Sequence, residues 1–145
     1  MNVVIEKVQF ATSQLVEALN RLLPQLSSDP PTLSIGDVER ILHSDSASLF
    51  VAKEGPRIVG MLTLVTFRIP TGRRAWVEDV VVDADARGEG IGERLTEAAI
   101  DEARRRGART IDLTSRPSRE AANALYQKMG FELRETNVYR LLLED

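Results

Sequence analysis

The stretch DADARGEGIGERL, residues 83–95, places Gly88, Gly90 and Gly92 at alternate positions directly ahead of a run that otherwise reads as helix. A glycine inside a helix costs about 0.5–1 kcal/mol relative to alanine, so three at one entrance indicate that bare backbone is wanted there. The first turn of a helix leaves N–H groups unpaired and carries partial positive charge, and removing side chains lets phosphate oxygens reach those donors. The plainer reading is a tight turn with a helix cap, for which one glycine generally suffices. Spacing separates the competing phosphate signatures. A P-loop needs glycine, four residues, then Gly-Lys-Ser/Thr, and no such lysine follows Gly88. A dinucleotide fingerprint needs glycine at 93 or 95, where the chain has Glu93 and Leu95.

The elements around this loop can be read from hydrophobic period. Residues 3–8 read as a strand, and TSQLVEALNRLL carries Leu15, Val16, Leu19, Leu22 and Leu23 at helical spacing until Pro24 closes it. PQLSSDPPTLS is a loop, and SIGDVERILHS a short second helix. SLFVAKEG and RIVGMLTLVTFRI are strands about a turn at Gly55 and Pro56, and PTGRR turns the chain into AWVEDVVVD, which makes a three-stranded antiparallel meander. After the glycines, Ile91, Leu95, Ala98, Ala99 and Ala103 form one apolar stripe, with Arg104 to Arg106 at the end where the helix dipole favours cations. RTIDLTS then reads as a strand, and SREAANALYQKMG as a helix capped by Ser118 and Gly130. FELRETNVYRLLL finishes as one strand, or as two. Strand, glycine-rich turn, helix, strand is a βαβ unit, and the whole chain, 1–145, is expected to form one α/β domain.

The run Arg87-Gly88-Glu89-Gly90-Ile91-Gly92 resembles the R/Q-x-x-G-x-G/A pyrophosphate loop of the GNAT superfamily of N-acetyltransferases. The resemblance extends from about Trp76 to Phe131, through the valine-rich strand, the helix ending RRRGART, the strand TIDLTS, and REAANALYQKMGF with its asparagine, tyrosine and terminal Gly-Phe. It implies a mixed, twisted sheet of about six to seven strands flanked by about four helices. It implies acetyl-CoA as donor, held by residues 87–92 and by main-chain groups of Val80 and Val82 where the strand splays from its neighbour, with the Val80 N–H polarising the thioester carbonyl. Asn123 would hydrogen-bond CoA and Tyr126 would bind it and protonate the departing thiolate. The plainer reading makes Tyr126 a core aromatic whose hydroxyl reaches the surface. No metal enters this chemistry.

Transfer to an amine also needs a base, because an alkylamine with a pKa near 10 is protonated at neutral pH. Glu78 and Asp79 interrupt the apolar strand. Alternation places Glu78 on the face of Trp76, Val80 and Val82 and makes it the candidate base, unless it is only a surface carboxylate; a bulge in the strand would present Asp79 instead. The single histidine, His43, falls at the end of a short helix and suits a solvated capping role.

A formal charge of −3 supplies no electrostatic footprint for nucleic acid, and the absence of cysteine excludes disulfides and thiolate chemistry. The most apolar stretch, residues 58–67, is too short for a membrane-spanning helix, and the opening residues lack the pattern of a secretory signal; a cytoplasmic protein is expected. The acceptor, a small molecule or a protein bearing a primary amine, is not named by the sequence. The segments PQLSSDPPTLSIGDVERIL and FRIPTGRRAW should shape its pocket, and the WVEDVVVD strand is similar to its counterpart in hexosamine-phosphate acetyltransferases. Homodimers are common in the family, and NVYRLLL could support one. The alternative reading is a non-catalytic acyl-CoA sensor or interaction module.

Overall fold

A computed structural model describes residues 2–144, which divide into two compact units, Met1–Thr114 and Ser115–Asp145. The first unit holds a five-stranded sheet in the order β1-β2-β3-β4-β5, with β1 Val3–Lys7, β2 Ala47–Glu54, β3 Arg57–Ile69, β4 Gly72–Val82 and β5 Thr110–Asp112. Every neighbouring pair is antiparallel except β4 and β5, which are parallel and joined through α3, Ile91–Arg105. α1, Ser13–Leu22, and α2, Ile35–His43, come between β1 and β2.

Both faces of the sheet are covered, which explains why SLFVA is a continuous apolar run. On one face Phe50 and Ala52 of β2, Leu62 and Leu64 of β3, and Ala75 and Val77 of β4 bury the stripe Ile91, Leu95, Ala99 and Ala103 of α3. On the other, Leu49 and Val51 of β2, Met61 of β3 and Val81 of β4 cluster with Leu15, Leu19 and Leu22 of α1 and Val38 of α2. α3 lies close enough to β3 that a Cβ added at Gly60 would stand 3.2 Å from Leu95 Cδ1 and 3.3 Å from the Val81 carbonyl oxygen.

Local signals set the helix ends. Thr12 Oγ1 accepts from the Leu15 N–H at 3.1 Å, and Ser34 with Asp37 forms a reciprocal capping box at α2. α3 closes on Gly107, whose φ of 78° allows the Ala108 N–H to reach the Ala103 carbonyl at 2.9 Å and its own N–H to reach that of Arg104 at 3.0 Å.

Two sequence expectations need correction. RTIDLTS forms a strand only over Thr110–Asp112, and residues 131–143, expected as a last strand or two, carry no strand; the sheet has five strands rather than six to seven. An apolar stretch makes a strand only where a neighbour supplies ladder hydrogen bonds, and here Leu133, Val138, Tyr139 and Leu141 to Leu143 stay exposed.

The carboxyl half of α3 is fixed to β1 by a buried charge. Glu102, only 5% exposed, accepts from Lys7 Nζ at 2.8 Å, from Arg106 Nε at 2.8 Å, and from the Arg105 guanidinium. Burial alone would raise its pKa, but the three cations outweigh it and hold the carboxyl at about 2. A group so depressed stabilises the fold above its ordinary value of 4.5, and that contribution disappears as pH falls toward about 2. Glu102→Gln is therefore expected to lower stability by about 2 kcal/mol at neutral pH and to flatten the acid limb between those values, as read by urea unfolding at a series of pH values.

Candidate active site

The glycine loop sits where β4 ends. Asp83 opens a single 3₁₀ turn, Ala84–Ala86, and the chain passes through Arg87 and Gly88 to Gly90, the N-cap of α3. Gly88 has φ 83° and Gly90 φ 76°, left-handed conformations that glycine adopts without strain. The first helical acceptor is met by Arg94, whose N–H reaches the Gly90 carbonyl at 3.1 Å, so the N–H groups of Ile91, Gly92 and Glu93 stand ahead of it at the helix mouth. Gly92 is different: its φ is ordinary, and a Cβ there would meet only Val82 Cγ2, at 3.9 Å. Nothing within this structure requires a glycine at 92.

Residues 87–90 are exposed, and Ile91 is buried in the core beneath α3. Arg87 Nε donates to the Val82 carbonyl at 3.3 Å, which leaves the rest of the guanidinium at the loop rim. β4 pairs with β5 only over Arg74 to Trp76, opposite Thr110 to Asp112; beyond that point the β5-side edge of β4, through Val80 and Val82, runs to the loop without a strand partner among the described residues.

β4 carries the bulge that the sequence left open. Its register against β3 passes from Thr63 opposite Glu78 to Met61 opposite Val81, and Asp79 adopts φ 49°, alone among the described non-glycine residues in having a positive φ. The extra residue shifts the alternation. Val80 and Val82 join Ala75 and Val77 on the α3 side, while Val81 faces α1 and α2. The expectation that Glu78 shares a face with Val80 and Val82 is thus corrected. Glu78, exposed and opposite Thr63, lies with Asp79 at the turn of the bulge.

Beside the bulge is a cleft of about 600 Å³ to which α2, the loop before it, β2, β3 and β4 contribute. Pro31, Leu33, Ile41 and Ala47 give it apolar walls; Asp37, Arg40, Ser44, Thr63 and Asp79 supply polar groups. The loop and helix around residues 31–41 were expected to shape a pocket and do so here, whereas FRIPTGRRAW forms the β3–β4 hairpin and lines none of this cleft. Asp37 is already committed, accepting from the Ser34 N–H at 2.8 Å and from Arg40 Nη2 at 2.5 Å. Asp79 makes no hydrogen bond or ion pair with another described residue.

Under the loop lies a network that the sequence did not announce. Asp83, 4% exposed, accepts from Arg21 Nη1 at 2.7 Å, Arg57 Nη2 at 3.1 Å and the Asp85 N–H at 3.1 Å. Arg21 also reaches the Ile58 carbonyl at 2.5 Å, and the Ala84 N–H donates to Gln25 Oε1 at 2.9 Å. α1 and β3 are thereby tied to the base of the loop. The hydrogen bond from Asp85, reinforced by Arg57 and Arg21, holds the Asp83 carboxyl below its ordinary value against its burial. The only sequence signal was an acid ending a valine run, which reads equally as the start of a loop.

The second unit contains α4, Glu120–Lys128, with Asn123 and Tyr126 half-buried on it. Its N-cap is Arg119 without a side-chain hydrogen bond, so Ser118 does not cap it. Asn123 Nδ2 instead donates to the carbonyls of Arg116 at 2.9 Å and Arg119 at 2.8 Å, tightening the entrance. At the other end Gly130, φ 102°, permits a paired closure: the Phe131 N–H reaches the Tyr126 carbonyl at 2.9 Å and the Gly130 N–H reaches that of Gln127 at 3.1 Å. The same turn brings the Phe131 ring edge-on to Tyr126, centroids 5.7 Å apart. Burial raises the Tyr126 pKa, with Arg119 opposing, so the phenol keeps its proton at neutral pH.

A mixed sheet whose fourth strand runs unpaired into a glycine-rich helix mouth, beside a cleft at a bulge, defines an α/β protein whose helix entrance presents unpaired N–H groups. The chain matches the acetyltransferase (GNAT) family over residues 13–131, more than half its length, and belongs to that family. It is 32% identical over 95 residues to N-alpha-acetyltransferase 30 of Schizosaccharomyces pombe, covering 65% of this chain and 63% of that one. It is 43% identical over 60 residues to glucosamine 6-phosphate N-acetyltransferase 1 of Oryza sativa subsp. japonica, covering 41% and 34%. The chain thus spans less than two thirds of either relative. An aminoglycoside N-acetyltransferase solved in complex with CoA shares the fold, with a TM-score of 0.81 at 19% identity over 98% of this chain and 95% of that one.

Removing Asp83 should separate its two duties. Asp83→Asn retains an acceptor for the Asp85 N–H and is expected to destabilise by about 1–2 kcal/mol. Asp83→Ala leaves two guanidinium groups and the 3₁₀ turn without their acceptor and should cost about 3 kcal/mol, both measured as shifts in the urea midpoint.

Proposed function

We propose that the protein is an N-acetyltransferase that moves acetyl from acetyl-CoA directly to a primary amine. The observation that carries this reading is the unpartnered edge of β4 leading into the glycine mouth of α3: an extended row of main-chain groups ending at an anion site suits a chain-like ligand with a pyrophosphate. Membership of the family supports CoA as that ligand, and the CoA-bound neighbour of the same fold agrees with it. In this reading Gly88 to Gly92 and Arg87 take the pyrophosphate, with Glu89 and Ile91 contributing backbone N–H groups. Val80 and Val82 pair through their main chain with the pantetheine arm. Asn123 retains its side-chain oxygen for CoA.

The amine nitrogen attacks the thioester carbonyl carbon, and the Val80 N–H stabilises the developing oxyanion. Glu78 takes the amine proton, directly or through water. The carbon–sulfur bond breaks, and the Tyr126 hydroxyl, which carries its proton at neutral pH, protonates the leaving thiolate. Among the described residues no helix is long and apolar enough to cross a membrane, which is compatible with a cytoplasmic enzyme.

Gly92→Glu tests the anion site with little folding damage. The helical backbone at 92 has room for a side chain and the helix dipole favours a carboxylate in the first turn, so stability should change by less than about 1 kcal/mol, whereas a negative charge at the helix mouth should weaken acetyl-CoA binding at least tenfold by calorimetry. Tyr126→Phe should lower kcat by roughly a hundredfold with little change in the KM for acetyl-CoA. Unchanged turnover across pH removes the acid role, and acetyl-CoA binding without thiol release on any amine favours a sensor.

A further inference from the structure

The cleft beside β4 carries more information about the acceptor than the loop does about the donor. Its walls are apolar, from Pro31, Leu33, Ile41 and Ala47, and its volume of about 600 Å³ is sufficient for a side-chain-sized group with a short stretch of chain. Recognition of a phosphate needs cations converging on it. Arg40 is the one cation among the lining residues, and it is bound to Asp37, with its side chain 74% exposed. Asp37 is itself occupied by Arg40 and by the Ser34 N–H. The one charged group of the lining that remains uncommitted is the carboxylate of Asp79, whose backbone is left-handed.

We propose that the acceptor is an unphosphorylated primary amine carried beside an apolar group, the apolar group filling the wall between α2 and β3 and the ammonium resting on Asp79. The inference rests on the acetyltransferase reading above and adds the substrate class. An ammonium on Asp79 lies one residue from Val80, whose N–H is assigned to the thioester, and one from Glu78, assigned as base. Polyols and phosphosugars are disfavoured because the apolar wall cannot replace the water around hydroxyl and phosphate groups. Such an amine has two sources, a free small molecule or the amino terminus of a peptide, and they share this chemistry.

Steady-state thiol release by the full chain with acetyl-CoA tests it, using 2-phenylethylamine, a peptide with an N-terminal leucine, glucosamine 6-phosphate and spermidine. The expected result is a kcat/KM at least tenfold higher for one of the first two than for either of the others; which of the two responds identifies the source. Asp79→Asn, whose side chain tolerates the same backbone, should raise the KM for the preferred amine at least tenfold and leave the KM for acetyl-CoA unchanged. Ile41→Arg should erode the preference for the apolar amine. Preference for glucosamine 6-phosphate or spermidine, or an Asp79→Asn variant with unaltered amine KM, overturns the substrate class while leaving the acetyltransferase reading in place. Acetyl-CoA binding with no turnover of any of the four overturns both.

Discussion

One extra residue in β4 governs the rest of the arrangement. The strand must pack valines against α3 along its whole length, yet it must also open toward β5 after Trp76. Without the bulge, strict alternation would put Val80 and Val82 on the face opposite Ala75 and Val77 and take them from the α3 core. With Asp79 inserted, Ala75, Val77, Val80 and Val82 all serve that core, and Val81 fills the other. The bend that accompanies a bulge is also what turns the far half of a strand from its neighbour. The core, the open edge and the exposed carboxylate pair therefore have a common origin, and a change that removed the extra residue would disturb all three.

The loop at the end of β4 is held from beneath rather than by its own contacts. Gly88 and Gly90 have open space around them, and their neighbours make few interactions. Order comes instead from Asp83, which joins α1, β3 and the 3₁₀ turn through charge-assisted hydrogen bonds. Glu102 does the same at the opposite end of α3. Buried carboxylates are expensive unless fully paired. Here each has three donors, and together they hold the segment that leads into α3 and the far end of that helix.

The half of the site proposed for the donor was legible in the sequence because it is made of backbone. Backbone chemistry leaves a trace in residue type: positive φ selects glycine at 88 and 90, whereas Gly92 has no such requirement within the fold. The Gly130-Phe131 pair is legible for the same reason, since a left-handed closure needs the glycine and seats the ring on Tyr126. The meander β2–β4, both early helices and α3 were legible from period. What was not legible depended on partners distant in sequence. The shift at Asp79 is a choice between two registers, settled by packing on both faces at once. Asp83 meets Arg21 and Arg57 only after folding, and the apolar residues of 131–143 suggest a strand without specifying a partner.

The acceptor side resists sequence reading for a deeper reason. Each residue lining the cleft has a sufficient local explanation: Asp37 completes a capping box, Arg40 pairs with it one turn later, Ile41 belongs to the apolar pattern of α2, and Pro31 to a proline-rich loop. None is anomalous alone. Asp79 is the exception: the bulge accounts for its left-handed backbone, but no cap, ion pair or core position accounts for its carboxylate. A single unexplained carboxylate at the meeting point of an apolar cleft and an open strand edge limits what can occupy the cleft, because a cation there gains an electrostatic partner and a second anion would lose one. On the proposed reading, specificity is set by how α2 and its preceding loop cover the bulge, segments that hold none of the residues assigned to the donor.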